Sequence, residues 1–138
     1  MSAETGASQN LHEELIDSVI GDGATVRLMN DPVAYSDGQT ELDNKEVDAG
    51  TYQPVSVAES DWSVSFDASD RTVTLENSTE VDFGETDSDW GTVVEVVIDA
   101  DDNSDNYILS NELNDPELTG ENYSFPAGEI VYTLGDGQ

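Results

Sequence analysis

Apolar and polar residues alternate with a period of two along most of this chain and follow a helical period only near its start. Leu11, Leu15, Ile16, Val19 and Ile20 recur at helical spacing, which predicts a helix over 11–20 with one buried face. Asn10 reads as its N-cap, Glu13 and Glu14 fall in its first turn, and Gly21 stops it. Beyond G-D-G, residues 24–29 read as a strand, with Ala24, Val26 and Leu28 on one side and Arg27 on the other. Trp62, Val64 and Phe66 alternate with Ser63, Ser65 and Asp67. A short A-S-D turn leads to residues 71–76, where Val73 and Leu75 point inward, so this pair reads as a β-hairpin. A short strand follows at 80–83.

Residues 92–99 carry Val94, Val96 and Ile98 on one face and Val93 and Val97 on the other. A strand apolar on both faces is central in its sheet or covers an interface. Its partner is 107–110, across the turn D-A-D-D-N-S-D-N, and strands at 123–125 and 129–134 close the chain. Residues 52–57 form a strand whose Pro54 marks a sheet edge. Residues 30–50 are polar and broken by Pro32, Gly38 and Gly50; they read as a structureless loop, long enough to be a contact or functional loop. Many short strands with regular turn signals predict an all-β fold, a compact antiparallel β-sandwich or barrel-like domain with one short N-terminal helix. Residues 1–9 read as a mobile arm and 10–138 as a single domain.

Charge changes the picture. The 138 residues include 32 acids against three cations, Arg27, Lys45 and Arg71, for a net charge of −29. The acids are spread from end to end rather than gathered in a tail, so the chain reads as folded. Such a domain repels itself in dilute buffer, whereas in molar salt the Debye length shrinks to about 3 Å and the repulsion is screened. Dispersed acid together with few lysines predicts a protein that works at very high salt, as in halophilic archaea or their viruses. Three cations cannot offset phosphate repulsion, which argues against nucleic acid as a partner. No apolar run approaches the roughly 20 residues of a membrane-spanning helix, and residues 1–10 have neither the basic nor the apolar part of a secretion signal. Membrane insertion is not expected, and assembly in the cytoplasm is.

Candidate chemistry is thin. There is no cysteine. His12 is the one histidine, and with no second His or Cys beside it, it reads as a solvated helix residue rather than a base or metal ligand. Asp99, Asp101 and Asn103 match the opening of a calcium loop, but Ser104 replaces the turn glycine and Ser110 the bidentate glutamate. They are retained as weak candidates for loosely held cations, and no cofactor is expected. The sequon at Asn77 reads as a chance match. Trp62 and Trp90 read as core. The interface candidates are Tyr35, in the long loop, and Val93, Glu95 and Val97, on the two-faced strand.

Taken in order, several segments resemble a family of small phage proteins described as tail-fibre proteins. They are the helix L-H-E-E-L-I-D-S-V-I, the strand A-T-V-R-L-M-N-D-P, the element E-V-D-A-G-T-Y at 46–52, the strand V-T-L-E-N-S-T-E-V-D-F at 73–83, W-G-T-V-V-E-V-V-I-D-A at 90–100, and F-P-A-G-E-I at 125–130. The resemblance spans nearly the whole chain. It implies a structural role with no catalytic residues, a virion location, and partners that are other copies of the chain, other virion proteins and a host surface. Closed symmetry makes a trimer or higher ring the expected assembly. A capsid decoration or turret protein is the alternative within the structural class. A carbohydrate- or cation-binding module of a cellular haloarchaeal protein is the alternative outside it.

Overall fold

The computed structural model describes residues 8–49, 51–85, 90–101, 107–117 and 122–134. Helix α1 (Gln9–Ile20) leads into strand β1 (Ala24–Met29). Helix α2 (Gln39–Lys45) and a short edge strand, β2 (Val55–Val57), come next. The hairpin β3 (Trp62–Asp67) and β4 (Thr72–Asn77) precedes β5 (Val81–Glu85), β6 (Val93–Ala100), β7 (Ile108–Glu117), β8 (Asn122–Phe125) and β9 (Val131–Leu134). All pairing between these strands is antiparallel, in three open sheets of order β2-β1-β6-β7, β3-β4-β9 and β5-β8. The all-β expectation holds as antiparallel sheets without barrel closure, and Pro54 does precede an edge strand.

The main core lies on one face of the four-stranded sheet. Val26 and Leu28 of β1 and Val96 and Ile98 of β6 meet Ile16, Val19 and Ile20 of α1, Val73 and Leu75 of β4, and Val81 and Phe83 of β5. Trp90 and Trp62 are buried in the same cluster. The opposite face is covered by α2, whose Leu42 packs on Met29 and Val97. This is why β6 is apolar on both sides: it is central, and each face has its own lid.

Three readings of the pattern need correction. Residues 30–50 are not structureless. Gly38 precedes α2, Glu41 sits in its first turn and Lys45 in its last, matching the helix dipole. A seven-residue helix with one buried apolar residue, Leu42, leaves no periodic stripe to read. The cap of α1 is Ser8, whose hydroxyl accepts from the Leu11 N–H at 3.2 Å, so Ser8 and Gln9 belong to the helix end rather than to an arm. With the start moved back, the first turn holds no acid. The helix is also rotated from the expected face: His12, Ile16, Val19 and Ile20 are inside, while Leu11 and Leu15 are exposed. Both stripes satisfy helical spacing, so periodicity alone could not choose between them. His12, expected in solvent, is only 3% exposed. Residues 1–7 of the expected arm lie outside the described residues.

In β6 a register irregularity between Val93 and Glu95 resets the alternation. Val93 therefore joins Val96 and Ile98 in the main core, and only Val97 faces α2.

Candidate interaction surface

The residues that carry the resemblance hold the elements of the fold together. Tyr52 donates to Glu46 at 2.6 Å and accepts from the Leu28 N–H at 3.0 Å, tying the 46–52 element onto β1. Its ring meets Trp90 edge-on at 5.2 Å and stacks with Phe83 at 6.2 Å, and Phe83 meets Phe125 at 6.1 Å. The Trp90 indole donates to Thr51 at 2.6 Å. Gly91 has φ +68, and the Asn30 amide beside it donates to the carbonyls of Trp90 and Thr92. Asn77, 1% exposed, donates to the carbonyls of Thr79, Phe125 and Pro126 and accepts from the Ile130 N–H. The F-P-A-G-E-I turn is thus held by one buried amide, which fills the sequon's asparagine with structural work. These motif residues build the scaffold.

Arg27 organises the α2 side. Its guanidinium reaches Asp43 at 2.6 Å, Glu46 at 2.9 Å and Asp99 at 2.9 Å, and it also donates to Gln39. Burial opposes its charge, but the hydrogen bonds and attraction of Glu46, Asp43 and Asp99 outweigh burial and raise its pKa further. Burial, helped by the bond to Glu46, likewise raises the Tyr52 phenol above its ordinary value. Lys45 pairs with Asp37, and this hydrogen bond, with one from the Ala34 N–H, lowers the Asp37 carboxyl. This network was not foreseen. Its signal was one of only three cations in an acidic chain, set on the polar side of a strand.

The expected sites now have places. Asp99 is 5% exposed and accepts from Arg27 and Gln39. Asp101 accepts from the Thr25 hydroxyl at 2.7 Å. Asn103 lies outside the described residues. Among the described residues no three histidines or carboxylates stand together as metal ligands would. Val93 and Val97 are fully buried within the chain itself, and the Glu95 carboxylate accepts from the Val33 N–H. The side chains of Val93 and Val97 are therefore withdrawn from any partner. Tyr35 is the one interface candidate that stands fully in solvent.

Tyr35 borders a groove of about 720 Å³ between α1, the segment 33–37, β7 and β9. Leu15, Val19, Tyr107, Ile108 and Tyr132 share its walls. Asp37 is the one acid in the lining, and it is paired with Lys45. In a chain of 32 acids this is a nearly neutral apolar window. Leu11, Leu15 and Tyr107 are exposed at or beside it.

No helix among the described residues is long and apolar enough to cross a membrane. No curated protein and no solved structure matches the chain. A family model does, over residues 6–133, and that family is described as Podophage GP4 fiber I protein gp80. The span takes in every described element from α1 to β8 and nearly all of β9, so the chain belongs to the podophage GP4 fiber I protein gp80 family.

Proposed function

We propose that the chain is a non-enzymatic structural subunit of a virion, in a tail fibre or related appendage of a tailed virus infecting a halophilic archaeon, where it serves assembly or host attachment. Family membership supports the fibre role, and the charge of −29 with three cations supports a high-salt setting. The motif residues build the scaffold.

The observation that carries the assembly reading is the neutral groove. Two copies at −29 each repel, and they approach at least cost where few acids face each other. The groove has one acid, already paired, and exposed leucine and tyrosine at its margin. We therefore assign it to a second copy of the chain, within a closed trimer or larger ring.

The test is mass by light scattering coupled to size exclusion in molar KCl. The wild type should run as one discrete oligomer that survives dilution. Tyr35→Asp, made at a fully exposed position, should shift it to monomer while leaving the circular dichroism spectrum unchanged. A wild-type monomer at every concentration, or an unshifted variant, would overturn the assignment.

A further inference from the structure

A closed ring of three or more copies joins its subunits head to tail, so each copy carries two different patches, and the surface that docks in a groove is not a second groove. On the reading that the groove at Tyr35 holds a second copy, we propose that the docking surface is the outer edge of β3, with Phe66 seated in the neighbouring copy's groove.

Exposure singles out Phe66. Among the described residues the large apolar side chains left exposed are Leu11, Leu15, Tyr35, Phe66, Tyr107 and Val131. Leu15, Tyr35 and Tyr107 line the groove, Leu11 lies one turn before Leu15 on α1, and Val131 adjoins Tyr132. Phe66 alone stands apart from the groove, at 38% exposure. Along the inward stripe of β3, burial fades from Trp62, 6% exposed, through half-buried Val64 to Phe66. The core runs out before the last ring of the strand is covered. Its placement suits a ring of copies. β3 and β9 are the outer strands of the sheet β3-β4-β9. Val73 of β4 pairs with Phe66 on one side and, on the other, with Leu134, which lines the groove. Directly paired residues share a face, and neighbouring strands lie about 4.8 Å apart. Phe66 and the Leu134 wall therefore stand at one level on opposite edges of one sheet, so copies set edge to edge bring Phe66 of one to the groove of the next.

Charge points the same way. Proteins usually guard a free strand edge with charge or proline, and β3 has neither from Trp62 to Phe66. Asp67, which follows, is turned into its own loop, where its carboxylate accepts from the Ser69 and Asp70 N–H groups at 2.9 and 3.1 Å. The groove has Asp37 alone, paired with Lys45. The contact thus joins two weakly charged windows of a chain whose net charge is −29, where two copies repel least. The chemistry of the walls fits as well. Tyr35, Tyr107 and Tyr132 give the groove aromatic sides, which receive a phenyl ring edge-on or offset.

The experiment mixes two variants of the whole chain and reads mass by light scattering in molar KCl. Phe66→Thr keeps a strand-forming residue at a partly exposed position, so it should hold the wild-type circular dichroism spectrum and run as a monomer, as Tyr35→Asp should. Should Phe66→Thr lose that spectrum, Ser65→Glu, at an exposed position on the same edge, takes its place. Mixed one to one at the highest soluble concentration, the two monomers should give a dimer and nothing larger. The Phe66→Thr copy still has a whole groove, the Tyr35→Asp copy still has its Phe66, and the remaining contact is broken on both sides. A wild-type dimer, an assembly kept by the β3 variant, or a mixture that stays monomeric would each overturn the place given to Phe66 and leave the groove to a second copy. Tyr35→Asp that stays assembled, or a wild type monomeric at every concentration, would overturn the groove assignment and this one with it.

Discussion

The two faces of the β1–β6 pair are covered in different ways. On the α1 side, Ala24, Val26, Leu28, Val96 and Ile98 meet a broad apolar layer, and cohesion is area. On the α2 side only Met29, Val97 and Leu42 form a fully buried apolar contact, and around it stand Arg27, Asp99, Glu95 and Glu46. Seven residues of helix with one leucine cannot hold themselves down by burial. Charge holds them: Arg27 bridges α2, through Asp43, to Glu46 and to Asp99 of β6. In so acidic a chain a single buried cation can organise three carboxylates. Mobile salt screens the buried Arg27–Asp99 and Arg27–Glu46 pairs far less than it screens the surface, and reaches the network at Asp43, whose side chain is 71% exposed.

The sharpest way to break this contrast is to cut each face at neighbouring residues. Arg27→Met should destabilise by about 3–5 kcal/mol, because it strands Asp99 and Glu46 without their partner. Leu28→Ala should cost about 2–5 kcal/mol through a cavity in the main core. The faces separate on rescue. Adding Glu46→Gln and Asp99→Asn to Arg27→Met should recover much of the loss, since no stranded charge remains, while the same pair added to Leu28→Ala should recover nothing. Urea unfolding in molar KCl measures all of these. A triple variant no more stable than Arg27→Met would show that the α2 face is held by something other than charge pairing.

Tyr52 joins the two faces, with its ring in the aromatic cluster and its hydroxyl on Glu46 and the Leu28 N–H. Tyr52→Phe should cost about 1–3 kcal/mol, chiefly by leaving that buried N–H unpaired. The phenol also gives a pH signature. Its pKa is raised in the fold, so the folded state holds a proton that the unfolded state releases first. The stabilisation is complete below the ordinary tyrosine value, near 10, and falls as pH rises beyond it. Unfolding free energies from pH 9 to 11 should show that decline in the wild type, and a smaller one in Tyr52→Phe. Equal slopes would remove Tyr52 as its source.

The contrast also explains what the sequence disclosed. Area-driven cohesion writes itself as periodicity, so β1, the β3–β4 hairpin and the central place of β6 were legible from alternation. Charge-driven cohesion leaves no period. Nothing in Q-T-E-L-D-N-K announces a helix until Arg27 is seen above it, and the covered face of Val97 looked like an interface for the same reason. His12 misled in the opposite sense: a polar residue on the inner stripe of α1 makes the outer leucines look like the core face. The groove at Tyr35 was partly visible, since an exposed aromatic in a long polar segment is readable, but its walls come from four separate elements that only the fold brings together. The exposure of Phe66 was not visible, because alternation in β3 puts it on the inward face with Trp62.

The smallest effect belongs to the Asp37–Lys45 pair, at the border between the α2 face and the groove. Its carboxyl is lowered by Lys45 and by the Ala34 N–H, so its contribution is present above the ordinary carboxylate range and is lost as pH falls through its lowered value. The pair ties a short segment to the end of α2 and not to the sheet, so its loss should barely move global stability. What should change is local: below the ordinary carboxylate range, the amides of 33–38 should shift while those of β1 and β6 stay put, and Asp37→Asn should reproduce those shifts at neutral pH. Because this segment forms one wall of the groove, the same variant should weaken self-association slightly, and far less than Tyr35→Asp does. If Asp37→Asn leaves the 33–38 amides unmoved, then Val33 on Glu95 and Leu42 on Met29 hold the wall alone, and the charge network ends at Arg27.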